Sequence, residues 1–230
     1  MEEIKPVKTL NWVDLIAAVL GIGVLFVLLV LATKWAAARW PHEQLLLYLN
    51  GFLTQLAFLF LIWVIKTFRK WNWADFGWRP VKFRQVWPSI IGLYIFAWSI
   101  NFMYGLFLLS RGFTPPETDV YSQLFGQATL LTFLLNFLLA SILAPLTEET
   151  LFRGVIFGSL HTYLGKWTAA AISSALFSLL HFQAYGFLPR FMLGLILAHM
   201  YEKNRSLYPS MALHALNNFV ATALLAGLSM

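Results

Sequence analysis

The sequence predicts an all-α protein, a polytopic transmembrane helical bundle with about seven to eight helical segments. The 230-residue chain is 60% hydrophobic and only 11% charged, whereas soluble domains carry about 25% charged residues. It also contains several apolar runs that reach the roughly 20 residues needed by a membrane-spanning helix. These runs are too long and too many for a soluble core, so we expect an integral membrane protein surrounded by a lipid bilayer.

Composition excludes several classes of function. The chain has no cysteine, so it cannot form disulfides, thiolate nucleophiles or thiolate metal sites. Its net charge of +6 does not predict a nucleic-acid partner, because six basic residues gather between two apolar runs, as in a cytoplasmic loop. These residues are Lys66, Arg69, Lys70, Arg79, Lys82 and Arg84. The first residues lack a small-residue cleavage site, which predicts a retained anchor rather than a signal peptide.

Helices are expected in two groups. The first three predicted spans are Trp12 to Thr33, Leu45 to Ile65 and Trp87 to Leu109. A polar, proline-broken loop from Arg111 to Gly126 follows. The remaining segments are predicted at Leu130 to Ala144, Glu148 to Leu164, Thr168 to Phe182, Leu188 to Tyr201 and Tyr208 to Leu228.

We expect one integral membrane domain over residues 1–230. Within it, residues 1–110 hold spans without a recognisable motif, and residues 130–226 hold the motifs described below. The basic loop after the second span predicts a cytoplasmic N-terminus. The expected location is the plasma membrane of a prokaryote.

Acids, histidines and other polar residues interrupt the second group of helices. An acid within a bilayer costs about 2.5–3.5 kcal/mol on insertion scales, so function is the first hypothesis for such residues. The interruptions are Glu148, Glu149, Arg153, His161, His181, His199, His214 and Asn218.

The first motif is Glu148-Glu149 followed by Arg153. Pro145 suits a helix break, and Thr147 can cap a new helix that begins with the two acids. Glu149 and Arg153 lie four residues apart, so they can form an ion pair on one helical face. Glu148 points about 100° away and stays available for chemistry.

Two further motifs place histidines on apolar helices. Phe177 precedes His181 by one turn, and His214 and Asn218 project from one face. If two helices form a hairpin that turns near residue 165, Glu148 and His181 lie at the same depth. How His214 reaches them is left open by the sequence. The isolated residues His42, His161 and His199 are interpreted as packing residues.

Together, the ordered motifs resemble those of the type II CAAX prenyl endopeptidase and bacteriocin-processing membrane protease family, also called the abortive-infection-domain family. The resemblance covers about Leu130 to Ala226. It implies an intramembrane endopeptidase acting on a membrane-associated protein or peptide, which is prenylated for some family members.

The resemblance also implies roles for six residues. Glu148 would be the general base that activates water, His181 would orient that water, and Glu149 would pair with Arg153. His214 and Asn218 would stabilise the oxyanion. This mechanism needs no cofactor. Alternatively, Glu148, His181 and His214 would hold a divalent metal, since two histidines and a glutamate are a known catalytic zinc set.

Two other functions compete with proteolysis. Intramembrane acids and histidines also relay protons in transporters, but the halves of the chain show none of the internal symmetry expected there. A non-catalytic immunity or binding protein is the third hypothesis. Three complete motifs favour an enzyme over both.

Overall fold

The computed structural model describes residues 10–40, 43–113 and 129–228, and all regular structure in these ranges is helical. This confirms the predicted all-α class. The helices are α1 Trp12–Ala37, α2 Glu43–Arg69, α3 Phe83–Ser110, α4 Leu130–Leu179, α5 Phe187–Asn204 and α6 Leu207–Leu228. A 3₁₀ turn, Trp73–Phe76, lies between α2 and α3.

The first three helices follow the predicted spans and extend them by a few residues. They contain 26, 27 and 28 residues, which gives about 40 Å each at 1.5 Å per residue. That length crosses a hydrocarbon layer of roughly 30 Å. Together with α4, they are the four helices of the described ranges that are long and apolar enough to cross a membrane.

Helix α4 corrects the predicted count of seven to eight segments, because it joins three predicted helices and leaves six in the described ranges. Its course includes two π-helical stretches, Phe137–Leu143 and Thr150–Phe157. Pro145 does not end the helix. It comes just after the first π stretch, whose wider turn moves the preceding carbonyls away from the proline ring.

A sharp bend at Gly165 divides α4 into a first arm, 130–164, and a second arm, 166–179. Gly165 has φ 72° and ψ 167°, a conformation that glycine adopts without steric cost. The arms pack as a hairpin, in which the Ser173 hydroxyl donates to the Phe152 carbonyl at 2.9 Å and the Phe152 and Phe177 rings meet edge to face at 5.3 Å. The predicted turn near residue 165 is confirmed.

The second arm is too short to cross a bilayer. Its 14 residues rise about 21 Å, against an apolar layer of roughly 30 Å. We therefore expect the arm and the turn that links it to α5 to end inside the layer. The following turn, between α5 and α6, contains Arg205 in the left-handed region at φ 51°, where a turn was predicted.

The basic segment between α2 and α3 folds back onto the bundle. Phe76 is fully buried, the Trp78 indole donates to the Thr150 hydroxyl at 3.2 Å, and the Leu207 amide donates to the Gly77 carbonyl at 2.8 Å. This segment thereby ties the π-helical part of α4 to the start of α6.

Candidate active site

The centre of the site is the predicted ion pair. Glu149 and Arg153 have fully buried side chains, and Arg153 Nη1 lies 2.8 Å from Glu149 Oε1. The guanidinium also donates from Nη2 to the Gly194 carbonyl at 3.1 Å, and it lies 4.7 Å over the Phe177 ring. Helix α5 comes this close because Gly194 has no side chain, since a Cβ there would lie 2.7 Å from the Ser174 Cβ.

His214 on α6 joins this pair from the opposite side. Its Nδ1 lies 2.9 Å from Glu149 Oε1, and its Nε2 lies 3.9 Å from Glu148 Oε2. An ionised carboxylate only accepts hydrogen bonds, so Nδ1 must carry a proton. Glu149 therefore fixes the ring orientation and directs Nε2 towards Glu148. Tertiary packing thus answers the question that the sequence left open.

His181 lies just after the second arm of α4, and the orientation of its ring is also fixed by a hydrogen bond. Its Nδ1 lies 2.9 Å from the Phe177 carbonyl oxygen, which also can only accept. In the neutral imidazole, Nε2 is then an acceptor. The Phe177 ring stands edge-on between the two histidines, 5.1 Å from His181 and 5.7 Å from His214.

Glu148, His181, His214 and Asn218 line one cavity of about 460 Å³, which we call the site cavity. The Glu148 side chain is 13% exposed, whereas that of Glu149 is fully buried. Glu148 and both histidines therefore line the same cavity. The volume lies in the range of cavities that take small ligands and peptide segments.

One of the two side-chain amide hydrogens of Asn218 is used in a hydrogen bond. Its Nδ2 donates to the Ala140 carbonyl at 2.8 Å, and its Oδ1 accepts from Asn217 at 3.2 Å. An amide nitrogen carries two hydrogens, so one can serve a group in the cavity. The bond to Ala140 also joins α6 to the first π stretch of α4.

Thr147 does not cap a helix, contrary to the sequence-based interpretation. It lies inside α4, where its hydroxyl bonds to the Leu143 carbonyl at 3.0 Å and to the Gln55 side-chain oxygen of α2. No new helix begins at the acids, so nothing there needs a cap. Glu148 and Glu149 are positioned by the continuous helix instead.

Sequence reasoning missed several polar residues of the cavity, among them Gln55, Arg190 and Asn217. Gln55 is 7% exposed and belongs to the second span. A glutamine or an arginine inside an apolar run is the same kind of signal that identified the histidines. The same criterion, applied to every polar residue type, would have identified Gln55 and Arg190.

Two of the histidines interpreted as packing residues, His161 and His199, do not line the site cavity, but His199 is exposed and so is not a packing residue. His161 Nε2 is 3.6 Å from Glu202 Oε1, and His199 lines a different cavity of about 320 Å³. His42 falls outside the described residues.

The histidines and the acid of the site are ligand types that a divalent metal ion can use. Each imidazole has an oxygen partner at Nδ1, as metal-binding histidines usually have at the nitrogen that does not bind the metal. In the described ranges, however, no three His, Asp or Glu side chains are grouped closely enough to hold one ion. The donor types suit zinc, but their present arrangement does not fit it.

The chain is similar in sequence to several known proteins. The family model of the type II CAAX prenyl endopeptidase Rce1-like proteins matches residues 130–220. An Escherichia coli "Uncharacterized 24.3 kDa protein" is 31% identical over 188 residues, 74% of this chain and 82% of that protein. The Lactococcus lactis "UPF0177 protein YxdF" is 31% identical over 130 residues, 55% of this chain and 70% of that protein.

A third relative is named for an activity. The Bacillus subtilis "Putative membrane peptidase YdiL" is 29% identical over 84 residues, 36% of this chain and 34% of that protein. No solved structure matches the chain at a significant level.

Proposed function

Because the chain belongs to the type II CAAX prenyl endopeptidase Rce1-like family, a family of membrane proteases, we propose that it hydrolyses peptide bonds with a water activated by Glu148. The observation that carries this proposal is the convergence of Glu148, His181 and His214 on one cavity. An acid beside two imidazoles can supply a base, a group that orients the water and an oxyanion donor, all of which assist hydrolysis.

The hydrogen-bond geometry supports a division of roles between the acid and the first histidine. Glu148 is partly exposed to the cavity and is free of the Arg153 pair, so its carboxylate can accept the proton of a water. His181 presents an acceptor Nε2, because its Nδ1 donates to Phe177. A water that donates one hydrogen to each group has its lone pair directed at the scissile carbonyl.

His214 and Asn218 are the proposed oxyanion donors. His214 Nε2 donates only when the ring carries both protons, since Glu149 holds the proton on Nδ1. Asn218 offers its second amide hydrogen. The Glu149–Arg153 pair acts through His214 as a positioning group.

The proposed substrate is a membrane-associated protein or peptide, because the site lies among membrane-spanning helices. A prenylated substrate is included in this class. The three relatives described above come from bacteria, which supports the plasma membrane of a prokaryote as the location. No cofactor is part of the proposed mechanism.

Glu148→Gln tests the proposal. The amide keeps the shape of the side chain but cannot take a proton, so turnover should fall by about 10³- to 10⁴-fold, the upper range for removal of general-base catalysis. Membrane-protein fragments would be compared by mass spectrometry in cells that produce the wild type or the variant. Peptides whose cleavage differs between the two kinds of cell would then be incubated with the purified proteins in nanodiscs.

Glu202→Gln is the matched control, because this glutamate pairs with Arg205 at the far end of α5. The control should cleave like the wild type. Near-normal turnover in the folded Glu148→Gln protein would reject Glu148 as the base, and the absence of any cleaved peptide with the wild type would reject proteolysis.

A further inference from the structure

A second cavity adjoins the site cavity. It has a volume of about 380 Å³, and we call it the side cavity. The two cavities share part of their walls, formed by Arg190, Leu193, Asn217 and Ala221. A peptide whose scissile bond lies at Glu148 can therefore continue into the side cavity, provided that its end suits the groups there.

Arg190 is the charged group at this boundary. It lies in the first turn of α5, 14 residues before Asn204 at the other end of the helix, which places it about 21 Å from that end. A cation so far along a helix within the membrane region is costly, and such residues usually mark a substrate or ion pathway.

The guanidinium has a defined orientation. It donates to the backbone and side-chain oxygens of Gln183, and it lies directly against Gly186, where an added Cβ would come within 2.7 Å of all three of the closest guanidinium atoms. It is also close enough to interact electrostatically with His181. These contacts hold the partly exposed guanidinium at the boundary of the two cavities.

Other hydrogen-bond donors line the same side cavity. Trp98 has a buried indole Nε1 with no hydrogen-bond acceptor among the described residues. Asn217 uses Nδ2 for one bond to Asn218 and retains a second hydrogen. Asn101 adds a further amide. Arginine, indole and amide donors together suit an anion with several acceptor oxygens.

We propose that the side cavity is a carboxylate-binding subsite, in which Arg190 binds a carboxylate of the substrate on one side of the scissile bond. This inference rests on the proposed peptidase function and deepens it. A carboxylate matches the planar guanidinium fork with two parallel hydrogen bonds, and it is the anion that peptides carry, at the chain end or on an acidic side chain. Arg190 is then a specificity-determining residue.

The test uses a library of fluorescent heptapeptides, randomised over Ala, Val, Leu, Ile and Phe, as probe. One arm has a free C-terminal acid, a second has a C-terminal amide, and a third has the amide plus one aspartate at each position in turn. Wild-type protein in nanodiscs should prefer a carboxylate arm by about 10- to 100-fold in kcat/KM, the usual range for a charge-assisted hydrogen bond. The acid and aspartate arms distinguish the two sources of the carboxylate.

Arg190→Gln should bring this preference to about 1, through a higher KM for the carboxylate arm with kcat little changed, and Arg190→Lys should restore part of it. Gly186→Ala provides a second variant that keeps the charge, because the added methyl displaces the guanidinium. It should shift the preference in the same direction. Lys203→Gln, at the exposed end of α5, is the control and should leave the preference intact.

Binding separates this inference from the peptidase proposal. Retention of the acid, amide and aspartate pools is measured on Glu148→Gln protein, with and without Arg190→Gln, so no turnover is required. Selective retention of a carboxylate pool that disappears with Arg190→Gln supports the subsite even if no peptide is cleaved. Equal retention of all pools, or a preference unchanged by both Arg190→Gln and Gly186→Ala, overturns it.

Discussion

Asp14–Arg69 in the first half of the chain and Glu149–Arg153 in the second are both acid–arginine pairs, but their surroundings differ. Arg69 Nε lies 2.7 Å from Asp14 Oδ1, with the arginine side chain 33% exposed. Asp14 also accepts from the Asn11 amide at the start of α1. This pair ties the beginning of α1 to the end of α2 near the edge of the bundle.

The second pair has no exposed part and has an additional partner. Glu149 accepts from His214, whose other nitrogen faces Glu148 beside the site cavity. The two pairs therefore differ in burial and in the presence of a shared partner that borders a cavity. The following predictions test whether that difference distinguishes a functional pair from a structural one.

Arg153→Met should give the largest loss of stability. The apolar side chain leaves Glu149 buried without its countercharge, and breaking a buried pair costs about 3–5 kcal/mol. Unfolding in mixed micelles by denaturing detergent would measure the loss. The double variant Glu149→Gln with Arg153→Met should recover much of it, because the uncompensated charge is gone. A single variant as stable as the wild type would contradict the importance of this pair.

Asn218→Ala should lower kcat by about 100-fold, the effect of losing one oxyanion donor, with little change in KM. Steady-state kinetics on a cleaved peptide would separate the effect on kcat from the effect on KM. Asn204→Ala, which removes an amide bonded to the Met200 carbonyl far from the site, is the control. If Asn218→Ala lowers stability but not kcat, then Asn218 has only a structural role, through its bond to Ala140.

Asp14→Asn should have a smaller effect on stability and none on the rate per folded molecule. The lost attraction to the partly exposed Arg69 is about 1 kcal/mol. Unfolding and turnover would be measured beside Arg153→Met. A fall in kcat as large as that of Asn218→Ala would show that the Asp14–Arg69 pair also supports the active site, which would contradict the distinction between the two pairs.

Removal of metal is expected to have no effect. Active protein should contain much less than one metal ion per chain, and a chelator should leave its rate unchanged. Elemental analysis of the active fraction would measure this, with His181→Ala as the companion variant. One ion per chain, lost together with activity in His181→Ala and after chelation, would replace the glutamate mechanism with a three-ligand metal site.

Local patterns in the sequence were enough to predict many particulars. Apolar length predicted the spans before Arg111, and a four-residue spacing predicted the Glu149–Arg153 pair. The gap between two expected helices predicted the turn near residue 165. Each depends on the 1.5 Å rise and 3.6-residue period of a helix. The family was also predictable, because its motifs are short and ordered along the chain.

Contacts between helices were decided only by the tertiary structure. Sequence spacing does not determine the tilt that brings His214 to Glu149, the approach of α2 that places Gln55 against Thr147, or the position of Arg190 between two cavities. The continuity of α4 through Pro145 also depends on a π-helical stretch that no local propensity predicts. Helical periodicity orients a side chain about its own axis, whereas packing between helices determines which side chains meet.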